Sequence, residues 1–252
     1  MISVENLSCG YNDFDVANGI SFACQNGEFL TIAGPNGCGK TTVLRALAGF
    51  LPYKGNIKLN GAELSSLKRK DISSQIAFMQ QISEVYFPYT VFETVSLGRY
   101  VHLSKNPFSS FTKKDEGIVL ECLEKTGILE IKDKPVLELS GGQLQRVFLA
   151  RVFAQEPKII LLDEPTNHLD LRFQLELAKV LKEWVADEKR SIIGVFHDLN
   201  LSMELSDKVL LMENGKIADY GPPKKVFLGE QINNVYGLNV KNYMKESFAK
   251  WK

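Results

Sequence analysis

Nine residues, Gly34-Pro35-Asn36-Gly37-Cys38-Gly39-Lys40-Thr41-Thr42, have the types and spacing that hold a nucleotide phosphate. They fit the pattern G-x-x-x-x-G-K-[ST]. Glycines let the backbone curl until successive N–H groups point inward at an anion, and a helix N-terminus adds partial positive charge there. Lys40 is placed to reach the β- and γ-phosphates, and the Thr41 hydroxyl to ligate Mg²⁺. The flanks agree. Phe29-Leu30-Thr31-Ile32-Ala33 reads as a buried strand, and Thr41 to Ala48 as a helix that Gly49 is placed to end.

Two further groups carry chemistry. Leu161-Leu162-Asp163-Glu164 puts two carboxylates at the end of an apolar strand, where charge is costly to bury unless something uses it. Strand ends of open α/β sheets are where ligands bind. Asp163 suits Mg²⁺, directly or through water. Glu164, on the opposite side of the chain, suits the polarisation of a water for in-line attack on the γ-phosphate. The competing reading is a capped strand end with a structural Asp. The second group is Leu139-Ser140-Gly141-Gly142-Gln143, which runs into a helical stretch at 144–151. Ser140 is a good N-cap, and the glycines expose N–H groups at a helix start, which makes a second anion cradle. One nucleotide does not need two cradles from one chain. The economical reading is that each faces a different nucleotide, with two copies meeting head to tail.

The elements that must position these groups alternate along the chain. Strand-like alternation runs from Met1 to about Ser8, a loop is expected at 9–13, and alternation returns at 20–24. Asn26-Gly27 predicts a hairpin into the strand ahead of the phosphate loop. Further short strands are expected at 55–61 and 76–79. Helices are expected at 91–97 and 113–127, where Val119 and Leu123 share a face. Between them, 99–108 reads as an aromatic and basic loop, either a solvated connection or a docking surface. Beyond 154 the pattern is a buried strand at 159–162, then a helix with Phe173, Leu177, Leu181 and Trp184 on one face. A strand at 191–196, a helix at 199–206 and a hairpin across Asn214-Gly215 follow. One or two short helices are expected after Pro222.

Composition narrows the class. Thirty basic residues balance thirty acidic ones, which gives no electrostatic argument for nucleic acid. Cys9, Cys24, Cys38 and Cys122 are scattered without a CxxC pair, so neither a disulfide framework nor a zinc site is expected. No apolar run approaches the roughly 18 residues of a membrane span, and no signal-peptide pattern opens the chain.

Together these residues resemble the nucleotide-binding subunits of ABC transporters along nearly the whole chain, Leu139-Ser140-Gly141-Gly142-Gln143 being that family's signature. The resemblance implies an α/β P-loop NTPase. Its RecA-like core, with a mostly parallel sheet, carries an N-terminal antiparallel β-subdomain and an inserted α-helical subdomain. It implies one ATPase domain over 1–252: a nucleotide-binding core with the antiparallel part at 1–83 and 155–225, a helical signature subdomain at 84–154 and a helical tail at 226–252. ATP and Mg²⁺ are the implied cofactors. Ser140, Gly141, Gly142 and Gln143 then face the ATP of a second copy, and Asp170, in Asn167-His168-Leu169-Asp170, lies at the dimer seam. His197 matches the switch histidine on the γ-phosphate, and Tyr11 the aromatic that stacks on adenine. Gln81 is assigned to sensing Mg²⁺ and the attacking water, although Gln80 stands where the family usually has proline.

Within the family the chain looks most like importer ATPases for metal chelates, of the iron–siderophore, haem and cobalamin kinds. Leu97-Gly98-Arg99-Tyr100, Phe196-His197-Asp198-Leu199-Asn200, Gly221-Pro222-Pro223 and Val235-Tyr236-Gly237 carry that look. The implied partners are a second copy of the chain, multi-spanning permease subunits at the cytoplasmic face of a membrane and, indirectly, a solute-binding protein. The alternatives are the ATPase of a zinc, manganese or molybdate importer, or a soluble ABC ATPase of iron–sulfur assembly.

Overall fold

The computed structural model describes residues 1–12, 14–80, 88–103, 111–167, 169–187 and 189–251. In chain order the first elements are β1 (Ile2–Tyr11), β2 (Phe14–Cys24), β3 (Phe29–Ala33), α1 (Lys40–Leu47), β4 (Tyr53–Leu59) and β5 (Ala62–Glu63). Next come α2 (Arg69–Ser73), β6 (Ile76–Met79), α3 (Val91–Ser96), α4 (Lys113–Lys125), α5 (Gly141–Ala154), β7 (Ile159–Asp163) and α6 (Leu171–Val185). The chain closes with β8 (Ser191–Val195), α7 (Leu199–Leu205), β9 (Lys208–Glu213), β10 (Lys216–Gly221), α8 (Pro223–Leu228), α9 (Gln231–Tyr236) and α10 (Val240–Ala249). These elements form two compact units, one of Met1–Leu67 with Ser191–Lys252, the other of Lys68–Arg190.

In the first unit, β2, β1, β4 and β5 form an antiparallel sheet in that order. Its strands alternate between buried and exposed residues, as a sheet covered on one face must. A second sheet places β3 between β8 and β9, parallel to both, and β10 closes its edge antiparallel to β9. All five residues of β3 and of β8 are buried, the pattern of parallel strands covered on both sides.

That difference overturns the hairpin expected at Asn26-Gly27. Gln25 to Glu28 do form a tight turn, with Gly27 at φ 77° and the Gln25 N–H donating to Glu28 Oε2 at 2.8 Å. The turn carries the chain from one sheet to the other, because β3, buried along its whole length, needs parallel neighbours covered on both faces rather than the half-solvated β2. The expected loop at 9–13 is likewise shortened. Cys9, Gly10 and Tyr11 belong to β1, and Tyr11 pairs with Phe14 across the hairpin tip. The tail holds three short helices rather than one or two. Val226, Phe227, Ile232, Val235 and Val240 pack onto Ala33, Val209 and Leu211, which makes the tail part of this unit's core.

In the second unit, β6 and β7 pair in parallel, and α3, α4 and α5 pack on one another around Val91, Val95, Val119, Leu123 and Val147. Arg99 lies in a 3₁₀ turn over Leu97–His102 and is 4% exposed, which corrects the loop expected from 99 on. Its Nε donates to Asp115 Oδ1 at 3.0 Å, and one Nη donates to the Ala154 carbonyl at 2.7 Å and to Glu156 at 2.6 Å. The planar guanidinium fork satisfies these partners together, as an ammonium could not. The remainder of the expected docking loop, 104–108, lies outside the described residues.

Candidate nucleotide site

The phosphate loop joins β3 to α1 in the first unit. Gly34, Gly37 and Gly39 sit at φ 143°, 79° and 101°, where a side chain is strained. A Cβ on Gly34 would lie 2.3 Å from the Met212 carbonyl oxygen. Backbone neighbours also hold the loop, since the Gly215 N–H donates to the Cys38 carbonyl at 3.2 Å and the Asn18 N–H to the Gly215 carbonyl at 2.7 Å. Helices α3 to α7 and α10 start with a side-chain cap; α1, which alone of the described helices lacking one has eight residues and a left-handed glycine, Gly39, at its start, has none. The N–H groups at its start are therefore turned to the loop, the arrangement that suits an anion. Lys40 is buried, and its Nζ donates to the Gly34 and Pro35 carbonyls, both at 2.8 Å. The ammonium is held across the mouth of the cradle by the loop that precedes it. Asn36 and Gly37 are exposed at the loop's crest, Thr41 is half-buried and Thr42 buried.

His197 belongs to the same unit. Ile32 pairs with Val195, so Gly34 and His197 each lie two residues beyond the same level of neighbouring parallel strands. Asp198 caps α7 through the N–H groups of Asn200 and Leu201, at 2.7 and 3.2 Å. Phe196 packs on Phe29 at 5.9 Å, which leaves His197 facing solvent at the strand end. The Tyr11 ring is exposed, and its hydroxyl accepts from Arg45 of α1 at 2.9 Å. Cys38 is buried, and that burial raises its thiol pKa despite the Lys40 charge and two backbone N–H groups that lower it. Sequence reasoning gave Tyr236 no part here. Burial raises its hydroxyl's pKa, and the nearby Gly34 backbone acts in the opposite direction.

The carboxylates sit in the second unit. Asp163 ends β7 and is 4% exposed. Glu164 follows at φ 53°, a left-handed conformation that a non-glycine residue holds only when its surroundings enforce it. Those surroundings are specific. Asn167 donates its amide to Glu164 Oε2, and its own N–H donates to the Glu164 carbonyl at 3.2 Å. The Gln145 amide of α5 donates to the Pro165 carbonyl at 2.6 Å. From α6, Gln174 donates to the Leu169 and Thr166 carbonyls at 3.2 and 3.4 Å. Asp170 closes the turn as the cap of α6, accepting from the Phe173 N–H at 3.0 Å. Asn167, Gln145 and Gln174 thus brace the segment after β7, contacts to which motif reading gave no part, although Asn167 lies in the motif that ends at Asp170. The one signal was a glutamine at a buried position among the apolar residues of α5.

Ser140 caps α5 as expected. Its Oγ accepts from the Gln143 N–H at 3.3 Å, and Gln143 Oε1 accepts from the Ser140 N–H at 3.1 Å. The box uses the Gln143 side-chain oxygen and leaves its amide N–H groups to donate elsewhere. The Ser140 hydroxyl proton and the N–H groups of Gly141 and Gly142 remain at an exposed helix start. Gln81 lies outside the described residues. For Mg²⁺, Thr41 offers a hydroxyl and Asp163 a carboxylate, hard oxygen donors of the kind this ion takes along with water and substrate phosphates. Among the described residues no group of three or more His, Cys, Asp or Glu could cage a metal by itself. Each oxygen, taken by itself, is of the kind used by an ion that arrives with a nucleotide.

A glycine-built loop between a buried parallel strand and an uncapped helix, in a mostly parallel α/β fold, defines a P-loop nucleotide-binding protein. Comparison with known proteins is more specific, because residues 17–167 match the ABC transporter family. The chain belongs to that family. It is 40% identical to the ABC transporter ATP-binding protein YvrA of Bacillus subtilis (strain 168) over 99% of its own length, and spans 56% of the length of that relative. To the ferric enterobactin transport ATP-binding protein FepC of Escherichia coli (strain K12) it is 37% identical, over 93% of this chain and 86% of that one. Among solved structures, an inward-facing metal-chelate type ABC transporter superposes with a TM-score of 0.80 at 28% identity, covering 94% of this chain and 88% of that chain. No helix among the described residues is long and apolar enough to cross a membrane.

Proposed function

We propose that the chain is the ATP-hydrolysing subunit of a metal-chelate importer, acting as a homodimer on permease subunits at the cytoplasmic face of a membrane. A solute-binding protein would deliver the cargo. The names of FepC and of the metal-chelate transporter support the cargo class. In this reading Tyr11 stacks on adenine, residues 36–42 cradle the phosphates and Lys40 neutralises their charge. Thr41 and Asp163, with Gln81, hold Mg²⁺, which when bound offsets negative charge on the β- and γ-phosphates. Glu164 takes a proton from the attacking water, and His197 donates to the γ-phosphate. Ser140, Gly141, Gly142 and Gln143 serve the nucleotide of the second copy, with Asp170 at the seam. The division into a core at 1–83 and 155–225, a helical part at 84–154 and a tail at 226–252 belongs to the same proposal.

The observation that carries the reading is the strained, half-exposed Glu164, held by Asn167 directly after the buried Asp163. A carboxylate oriented in this way is suited to proton abstraction. Glu164→Gln keeps the shape and removes the base, so hydrolysis should fall by ~10²–10⁴-fold. ATP binding should persist, with an ATP-dependent dimer accumulating on a sizing column. Wild-type turnover in this variant would remove Glu164 from the role. Co-purification with a multi-spanning membrane protein tests the transport assignment separately.

A further inference from the structure

The second unit holds a cluster that none of the roles above uses. It centres on Arg146, six residues beyond Ser140 on α5. One Nη donates to the Thr126 carbonyl, at the C-terminal end of α4, at 3.1 Å. The other bonds Glu176 of α6, which Arg172 also holds at 2.9 Å. The face of the guanidinium lies 4.7 Å from the centre of the Phe173 ring. One side chain therefore fastens three helices. Only a planar fork can donate in two directions while stacking on a ring, and a cation at the end of α4 also meets that helix's negative pole.

The partners of Arg146 lead to the chemistry at both ends. Phe173 is the residue whose N–H Asp170 caps. Its ring also underlies Gly142, where an added Cβ would lie 3.4 Å from it. Gly127 completes the fit, since a Cβ there would come 2.9 Å from an Arg146 Nη. A continuous path of contacts thus runs from Asp170 through Phe173 to Gly142 and Arg146.

We propose that Arg146, stacked on Phe173, is a positioning residue that locks the Ser140–Gln143 turn to the Asp170 cap, so that one protomer presents both to its partner as a single rigid edge. The proposal rests on the reading that the Ser140 turn serves the second copy's nucleotide. It adds the device that keeps turn and cap in register. Arg146 touches no reacting atom, and its loss acts through the placement of other groups.

The experiment uses the full chain with ATP and Mg²⁺, comparing Arg146→Lys, Phe173→Leu, their double variant and Ser140→Ala. Arg146→Lys keeps the charge and loses the fork. It should lower kcat about tenfold while the KM for ATP stays within about twofold. In a Glu164→Gln background it should weaken ATP-dependent dimerisation by a similar factor. Phe173→Leu should do the same, and the double variant should fall no further than the worse single, because both break one path. Melting temperature and monomer ATP affinity, measured on each variant, separate misplacement from unfolding. Loss of kcat only in proportion to the unfolded fraction, with dimerisation unchanged, would reduce Arg146 to a structural part and overturn the proposal. Independent, multiplying effects of the two substitutions would also overturn it. If Ser140→Ala turns over normally, the assignment of the turn itself fails. If Ser140→Ala is inactive while Arg146→Lys is unaffected, only the locking role is lost.

Discussion

The phosphate loop and the turn from Glu164 to Asp170 both follow a buried strand and lead into a helix, yet they are held by opposite means. Backbone shapes the loop, through three glycines at positive φ, the close approach of the Met212 carbonyl to Gly34 and the Gly215 N–H on the Cys38 carbonyl, with one side chain, Lys40, bonding the Gly34 and Pro35 carbonyls. Side chains hold the turn, through the amides of Asn167, Gln145 and Gln174 and the carboxylate of Asp170. A backbone-built site depends on the absence of side chains and fails when one is added. A side-chain-built site fails by degrees, as each support is removed.

The largest effect should follow from adding one methyl group to the loop. In Gly34→Ala the new Cβ meets the Met212 carbonyl at 2.3 Å, and neither backbone can yield cheaply. Displacing the loop should cost about 3 kcal/mol, close to a hundredfold in nucleotide affinity if it falls wholly on binding. Titration with a fluorescent ATP analogue reads this directly. Affinity within twofold of the parent would show that the backbone does not determine the loop.

The turn should give a smaller, graded response. Gln145→Ala leaves the Pro165 carbonyl without its 2.6 Å donor. A buried acceptor left unsatisfied costs about 1–3 kcal/mol. Denaturant melts should show that loss, and kcat should fall several-fold as Glu164 loosens while the KM for ATP stays put. A rise in KM with unchanged kcat would break the contrast between the two regions.

The same contrast explains how much could be read from the sequence. Gly34, Gly37, Gly39 and Lys40 are legible because the conformation they need is written in their own residue types. The Ser140 cap is legible for the same reason, whereas its reciprocal box with Gln143 shows only in the structure. Gln145 reaches Pro165 across twenty residues, and nothing local marks that pairing. Asn26-Gly27 announced a turn correctly, but turn chemistry does not say which sheets its strands join. Arg99 read as part of a surface loop because its three partners, Asp115, Ala154 and Glu156, come from distant segments. The tail showed no chemical motif because its work is apolar packing under β3 and β9. Tyr236 adds an influence from the phosphate loop, since its hydroxyl's pKa responds to Cys38 and the Gly34 backbone.

The Arg99 cluster offers the finest test of side-chain support, since it can be switched off by protons. The Thr112 hydroxyl, the Thr112 backbone N–H and Arg99 together hold the Asp115 carboxyl at about 2, against burial that would raise it. A carboxylate whose pKa is lower folded than unfolded stabilises the fold fully above its ordinary value of 3.8. That contribution is lost as pH falls from there towards 2. Stability should therefore decline on acidification through this window, and Asp115→Asn should flatten that part of the slope. The variant should be less stable at pH 7, where the buried Arg99 has lost its charged partner on α4. Denaturant melts at pH 7, 5, 4 and 3 provide the comparison. Because the phosphate loop is built from groups that do not titrate in this range, its glycines predict no such slope. Parallel acid curves for wild type and Asp115→Asn would mean that the Thr112 and Arg99 contacts are too weak to act as a support.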